Sequence, residues 1–176
     1  MISRNSLEES ILRECDICLH LFTKLPPESY DHRPTSGQRS TAELLRYLSF
    51  VAIAYMKCMS SGDWSAWREY GAQAKEMPPG EFPAAMKRQM GELREIFAGL
   101  TEEDLETRMV RVPWGEEMPM GPAILETVLK WMVGYKMQLF LYAKASGASE
   151  ISTANCWRGI DSPPAEKMPE KTEQAV

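Results

Sequence analysis

Hydrophobic residues recur every three or four positions along most of this chain, the spacing typical of helices that bury one face. The first run starts after Ser6, which pairs with Glu9 in the Ser-x-x-Glu pattern of a helix cap, and it ends before a Pro-Pro dipeptide. Its hydrophobic positions are Leu7, Ile11, Cys15, Cys18, Phe22 and Leu25. The same capping pattern returns at Ser40 and Glu43 and predicts a second helix that ends near Gly62.

The second half of the chain predicts two more long helices. The third has a narrow stripe at steps of four and three: Met86, Met90, Leu93, Phe97 and Leu100. The fourth runs from about Pro122 to Gly147 and is apolar on nearly every side. A short amphipathic helix within residues 63–76, a turn of helix capped by Thr101 and a brief extended excursion within residues 107–121 lie between the long helices. We therefore predict an all-α fold, a four-helix bundle with a short helix and a small extended excursion.

Length and composition fit one globular domain. The chain has 176 residues, of which 44% are hydrophobic and 26% charged, so we expect one helical domain over residues 1–160 and a flexible, charged, proline-containing tail over residues 161–176. The net charge of -5 disfavours a nucleic-acid partner. No segment is apolar enough to predict a membrane span or a signal peptide, so we expect a cytoplasmic protein.

Cysteines and histidines are the first candidates for chemistry. Cys15 and Cys18 have the spacing of a redox dithiol or half a zinc site, but both fall mid-helix on the apolar face, which favours packing in the core as free thiols. The histidines are His20, predicted at the surface, and His32, in a loop. A metal site in a bundle needs several inward His or carboxylate ligands, so we predict no metal and no cofactor.

Aromatic residues on the fourth helix are the second candidate. Trp131, Tyr135, Gln138 and Tyr142 follow one another at steps of four, three and four. The stripe has two interpretations: a core or dimer interface, or the lining of a pocket in which tyrosine hydroxyls and the Gln138 amide orient a small molecule. The spacing alone favours packing, and both interpretations stay open.

Three stretches of the chain resemble the DinB-like superfamily of bacterial four-helix bundles: RPTSGQRSTAELLRYLSF, the PWGEEMP segment from Pro113 to Pro119, and LKWMVGYKMQLFLYAKASG from Leu129 to Gly147. NCWRGID, at 155–161, resembles the end of such domains. The resemblance implies an up-down-down-up bundle, often a homodimer, in which one histidine of the second helix and a His-x-x-x-His pair of the fourth bind a divalent metal. It also implies kinship with thiol-dependent transferases and isomerases.

This chain departs from that pattern at every ligand position. By the resemblance, the histidine of the second helix corresponds to Tyr47, and the pair of the fourth helix corresponds to Trp131 and Tyr135, followed by Gln138. An indole only donates hydrogen bonds, and a neutral phenol is a poor metal ligand. We therefore expect a metal-free member whose former metal site, formed by Tyr47, Trp131, Tyr135 and Gln138, is reused as a polar-aromatic pocket for a small molecule or simply packed.

Two other functions stay open. The first is a thiol-dependent transferase or isomerase in which Tyr47 or Tyr135 stabilises a developing anion. The second is a structural protein whose apolar fourth helix pairs with a second copy of the chain. No catalytic residue is assigned. The expected partners are a second copy of the chain and a small molecule, with no nucleic acid and no membrane.

Overall fold

The computed structural model describes residues 3–148 and 150–162 of the chain, and these are mostly helical. The long helices form the predicted all-α, up-down-down-up four-helix bundle. The elements in chain order are α1 (Arg4–Phe22), α2 (Thr41–Leu48), α3 (Val51–Ser61), α4 (Ser65–Ala74), α5 (Phe82–Ala98), α6 (Glu102–Thr107), β1 (Met109–Arg111), β2 (Glu117–Pro119), α7 (Met120–Ile124), α8 (Lys130–Ala145) and α9 (Thr153–Arg158).

The four long segments pack around one core. α1 packs against α5 and α8, α3 packs against α5, and α2 packs against α8, which closes the ring of helices. The largest fully buried apolar side chains of this core include Ile11, Leu21, Leu44, Met56, Phe82 and Phe97. The predicted short helix is α4, the capped turn is α6, and the extended excursion is the antiparallel pair β1 and β2, in which Val110 lies opposite Met118.

The first helix begins earlier than predicted. Its N-cap is Ser3, whose hydroxyl accepts a hydrogen bond from the backbone N of Ser6, so Ser6 lies inside the first turn. The extra turn is held from outside the helix, because the Arg4 backbone N and guanidinium donate to the Glu102 carboxylate and the Leu100 carbonyl. Such a long-range contact gives no signal in the local pattern.

The predicted second helix is two helices, α2 and α3, with a break between Leu48 and Val51. The predicted cap at its start is confirmed, since Ser40 and Glu43 form a reciprocal capping box. At the break, the buried Gln89 of α5 replaces the missing helical hydrogen bonds. Its Oε1 accepts from the backbone N of Ala52 at 3.0 Å, and its Nε2 donates to the Leu48 carbonyl at 2.9 Å.

The predicted fourth helix is α7 and α8 joined by a π-helical turn, Leu125–Leu129. It begins at Met120, directly after β2 and two residues before the predicted start. A π turn contains an extra residue, so the side chains before and after it do not share the face that a regular α-helix would give. Gly147 follows α8 with a φ of 93°, a left-handed conformation that favours glycine at the end of a helix.

The short C-terminal helix α9 packs on α1 and corrects one prediction. His20 is not a surface residue: its side chain is 18% exposed, and its Nε2 lies 3.0 Å from Nδ2 of Asn155. Cys15 and Cys18 are buried in the core, as predicted. Among the described residues no helix is both long and apolar enough to span a bilayer. Most of the predicted tail, residues 163–176, lies outside the described residues.

Candidate polar-aromatic site

Two of the positions singled out by sequence meet at the interface of α2 and α8. The rings of Tyr47 and Tyr135 lie 4.6 Å apart, centroid to centroid. Trp131, one turn before Tyr135, packs edge-on against Tyr55 of α3 at 4.1 Å. Because Tyr55 and Tyr47 both contact Trp67 of α4, the three predicted aromatic residues belong to one group of rings. We call this group the aromatic cluster: Tyr47, Phe50, Tyr55, Trp64, Trp67, Trp131 and Tyr135.

Trp67 of α4 and Trp64, the N-cap of that helix, are cluster residues that sequence reasoning did not assign, as are Phe50 and Tyr55. The Trp67 ring lies 4.6 Å from Tyr55 and 5.4 Å from Phe50, and Trp64 lies 6.0 Å from Tyr55. Trp64 and Trp67 are three residues apart and so share one face of α4. That spacing was a usable signal for a common contact surface, but it does not show which surface they cover.

A positive charge lies against the cluster. The guanidinium carbon of Arg39 lies 4.1 Å from the Tyr47 ring centroid and 5.4 Å from that of Tyr135, within the range of a cation–π interaction. Arg39 comes just before the cap of α2, in a loop whose path cannot be inferred from hydrophobic periodicity. Sequence reasoning missed it for that reason.

Gln138, the fourth predicted residue, lies beside the cluster. Through Tyr142 it is hydrogen-bonded to the loop that carries Arg39. Its Nε2 donates to the Tyr142 hydroxyl at 2.5 Å, and that hydroxyl donates to the backbone carbonyl of Arg39 at 2.9 Å. Gln138 and Tyr142 are one helical turn apart, so α8 supplies both donors of the relay and the loop before α2 supplies its final acceptor. The amide predicted to orient a ligand therefore also fixes the backbone that carries Arg39.

Two surface cavities border this arrangement. One, of about 560 Å³, is lined by Gln138 and the loop that carries Arg33 and Arg39. The other, of about 360 Å³, reaches Tyr47 and Phe50 and is closed by the end of α4. Arg39 and Glu43 line both cavities. Both volumes are in the range that small-molecule sites occupy.

The phenols of Tyr47 and Tyr55 are held neutral. Burial raises the pKa of Tyr47 well above its usual range, and the neighbouring phenols of Tyr135 and Tyr55 raise it further. Burial also raises the pKa of Tyr55, to about 12. Arg39 opposes both shifts, because a positive charge favours a phenolate, but it does not offset the loss of water.

These side chains do not fit the divalent metal that the family resemblance implies. Trp131 offers no lone pair, and tyrosine phenols such as those of Tyr47 and Tyr135 are weak ligands for a divalent ion. The Arg39 guanidinium adds a positive charge over the same rings, which repels a cation. Within residues 3–148 and 150–162, moreover, no three His, Cys, Asp or Glu side chains are grouped so that they could hold an ion.

Lys136, which follows Tyr135 in α8, faces away from the aromatic cluster and is not placed to assist a tyrosine base. Its side chain has no exposed surface, and its ammonium lies 2.8 Å from Oε2 of Glu14 in α1. It also lies 4.6 Å from the centroid of the Trp157 ring in α9. Lys136 therefore belongs to the opposite side of α8 from the aromatic cluster.

Comparisons with known proteins agree with this architecture. The family model for the DinB superfamily matches residues 13–136. The crystal structure of a DinB-like protein from Bacillus subtilis superimposes with a TM-score of 0.65 and 19% sequence identity, covering 83% of this chain and 94% of that one. That identity supports a common fold alone. No curated protein matches the sequence. Because the family match spans well over half of the sequence, the chain belongs to the DinB superfamily.

Proposed function

We propose that this chain binds a small organic molecule, without a divalent metal, at the polar-aromatic site formed by Tyr47, Trp131, Tyr135 and Gln138. The observation that carries the proposal is the position of the Arg39 guanidinium, 4.1 Å from the Tyr47 ring, where it lines both adjoining cavities. A guanidinium that lies beside two cavities offers a ligand a positive charge, in addition to its own contact with the rings.

The interior of the cluster is closed, so the proposed ligand lies on its outer side. Tyr47 and Tyr55 retain only 9% and 7% of their surface, whereas Tyr135, Gln138 and Arg39 are half-buried. The rings thus provide a rigid floor, and the half-buried side chains provide polar contacts. Apolar walls with a few fixed polar groups are typical of small-molecule sites.

The enzyme alternative has less support from this geometry. A tyrosine that acts as a base at neutral pH needs a lowered pKa, whereas burial raises the pKa of both Tyr47 and Tyr55. We therefore propose binding rather than tyrosine-based catalysis.

The cellular setting completes the proposal: a bacterial, cytoplasmic homodimer. The apolar fourth helix motivated the dimer, and on α8 the Leu141 side chain is 54% exposed in the single chain. Covering this residue with a second subunit would remove apolar surface from water. Subunit number is measured together with ligand binding in the experiment below.

Native mass spectrometry of the freshly purified full-length chain, incubated with Ni²⁺, Zn²⁺ and Mn²⁺ and then desalted, tests the proposal. We expect no retained metal and an additional organic mass. The Tyr135→Ala variant should lose that mass, because it removes the ring that faces Tyr47 and Arg39. The control Trp114→Ala, which removes a 52% exposed ring on the hairpin, should retain it.

Three outcomes contradict the proposal. One tightly retained metal equivalent per chain would show that the site is a metal centre after all. A chain that carries no organic mass and binds no member of a small-molecule library would show that the site is only packed. Equal retention of the organic mass by Tyr135→Ala and the wild-type chain would place the ligand elsewhere.

A further inference from the structure

Three arginines line the cavities beside the aromatic cluster, and two of them have acceptors within the protein. Nη2 of Arg33 lies 2.8 Å from Oε2 of Glu43, and Nε of Arg46 donates to the Met77 carbonyl at 2.9 Å. The Arg39 side chain makes contacts of a different kind, with the faces of two rings. In the part of the chain that the structure describes, no oxygen accepts a hydrogen bond from its guanidinium.

The contacts with the two rings leave the hydrogen-bond donors of Arg39 without an oxygen acceptor among the described residues. A guanidinium has five N–H donors, all in its plane, and the rings of Tyr47 and Tyr135 approach it at 4.1 and 5.4 Å. The edge of the guanidinium therefore presents a planar fork of donors, which matches the two oxygens of a carboxylate.

The backbone of Arg39 is held in place before any ligand arrives. The Tyr142 hydroxyl donates to the Arg39 carbonyl, and Gln138 donates to Tyr142. The next residue, Ser40, is the N-cap of α2, and its backbone N donates a hydrogen bond to the Glu43 carboxylate. A side chain that extends from a fixed backbone loses less conformational freedom when it binds an acceptor than one on a mobile loop.

The charged side chains that line the cavities favour a ligand with a single negative charge. Although the whole chain has a net charge of -5, four basic and two acidic side chains line the two cavities: Arg33, Arg39, Arg46, Lys75, Glu43 and Glu76. Arg33 is already paired with Glu43, and Lys75 is exposed to water. The half-buried Arg39 is thus the cation best placed to bind one carboxylate.

We infer that the ligand of this site is a small organic carboxylate with an aromatic or flat apolar body. The carboxylate binds to the edge of the Arg39 guanidinium, and the body lies in the cavity that Tyr47 and Phe50 line. The inference rests on the proposed function, since it names the class of molecule that the polar-aromatic site binds.

Binding of 2-naphthoate and 2-naphthamide, measured by isothermal titration calorimetry on the full-length chain, tests the inference. The probes share a ring system and differ in the charge of one group. We expect wild-type protein to bind the naphthoate about tenfold or more tightly than the amide, the range of a charge-assisted hydrogen bond. Arg39→Gln should abolish this preference by weakening naphthoate binding, and Arg39→Lys should retain part of it.

The control variant is Arg13→Gln, which removes an exposed arginine of α1 and should bind both probes like the wild type. Equal binding of the two probes by wild type and Arg39→Gln would overturn the carboxylate inference and leave the pocket standing. Failure of the wild type to bind either probe at millimolar concentration would count against both the inference and the proposed pocket. Arg39→Lys, which keeps the charge, guards against loss of binding through misfolding.

Discussion

The Nζ of Lys136 lies 2.8 Å from Oε2 of Glu14, and the lysine side chain has no exposed surface at all. The pair joins α8 to α1 on the side of the bundle away from the aromatic cluster. Trp157 of α9 covers it, with its ring 4.6 Å from the ammonium. A buried charge that loses its partner is strongly destabilising, so Glu14 stabilises the packing of α8 against α1.

Glu14→Gln should therefore lower the free energy of unfolding by about 3 kcal/mol, because it leaves the Lys136 charge buried and unpaired. Lys136→Met should cost less, since Glu14 is 15% exposed and stays partly hydrated. The double variant Glu14→Leu/Lys136→Met should recover part of the loss. Urea unfolding of all three variants measures this, with Glu9→Gln on the exposed face of α1 as the control. A loss in Glu14→Gln no larger than in Glu9→Gln would contradict the prediction.

The break between α2 and α3 depends on one buried amide. Gln89, with 2% of its surface exposed, accepts from two backbone N–H groups and donates to one carbonyl across the break. Gln89→Leu should lower the free energy of unfolding by about 2 to 4 kcal/mol, because each buried polar group left without a partner costs about 1 to 3 kcal/mol. Thermal and urea unfolding check this.

Its matched control is Gln73→Leu, at an exposed glutamine of α4, which should change stability by less than about 0.5 kcal/mol. If Gln89→Leu unfolds at the same urea concentration as Gln73→Leu, the amide does not hold the break.

Features that depend on neighbours in the chain could be predicted from the sequence. The capping box of Ser40 and Glu43, the short helix α6 and the end of α8 before Gly147 all follow from residues within a few positions of one another. The break at residues 49–50 could not be predicted, because the amide that satisfies it comes from α5, more than 35 positions away.

The candidate site also has some features that could be predicted from the sequence and others that could not. The proximity of Tyr47 and Tyr135 could be anticipated, since the family resemblance aligns both with positions that face one site. Arg39 and Trp67 could not, because their contacts depend on the path of a loop and on how α4 lies against α3. Periodicity identifies the buried face of a helix, but it does not identify the residues that cover that face.

Close packing between α6 and α7 requires glycine at one position. A Cβ on Gly121 would lie 2.9 Å from the backbone carbonyl oxygen of Leu105, whereas a Cβ on Gly134 in α8 would meet no atom within 4 Å. Gly121→Ala should lower the free energy of unfolding by about 1 to 3 kcal/mol through steric strain. Gly134→Ala should raise it by up to about 1 kcal/mol, because alanine is the better helix former. Destabilisation of both variants to the same degree, measured by urea unfolding, would be inconsistent with this reasoning.

The contact between α1 and α9 requires a neutral histidine. The backbone N of Ser152 donates to Oδ1 of Asn155 at 2.7 Å, which directs the Asn155 NH2 group toward His20. The His20 Nε2 then accepts a hydrogen bond, which only an unprotonated nitrogen can do. Burial lowers the pKa of His20 below its ordinary value of 6.5, and Lys24 adds to this shift while Asp161 opposes it.

Because the folded chain binds this proton less readily than the unfolded chain, acid should destabilise the fold through His20. As the pH falls through 6.5, His20 of the unfolded chain takes up its proton first. The free energy of unfolding therefore falls between pH 6.5 and the lowered pKa that His20 has in the folded chain. Urea unfolding at pH 7.5 and at pH 5.5 measures the effect in wild-type protein and in His20→Gln, which does not titrate there. The wild type should lose more stability than the variant, because only the wild type contains the titrating His20. The contributions of all other titratable groups, His32 included, are common to both proteins and cancel in the comparison. Equal losses in the two proteins would show that the histidine does not control the docking of α9.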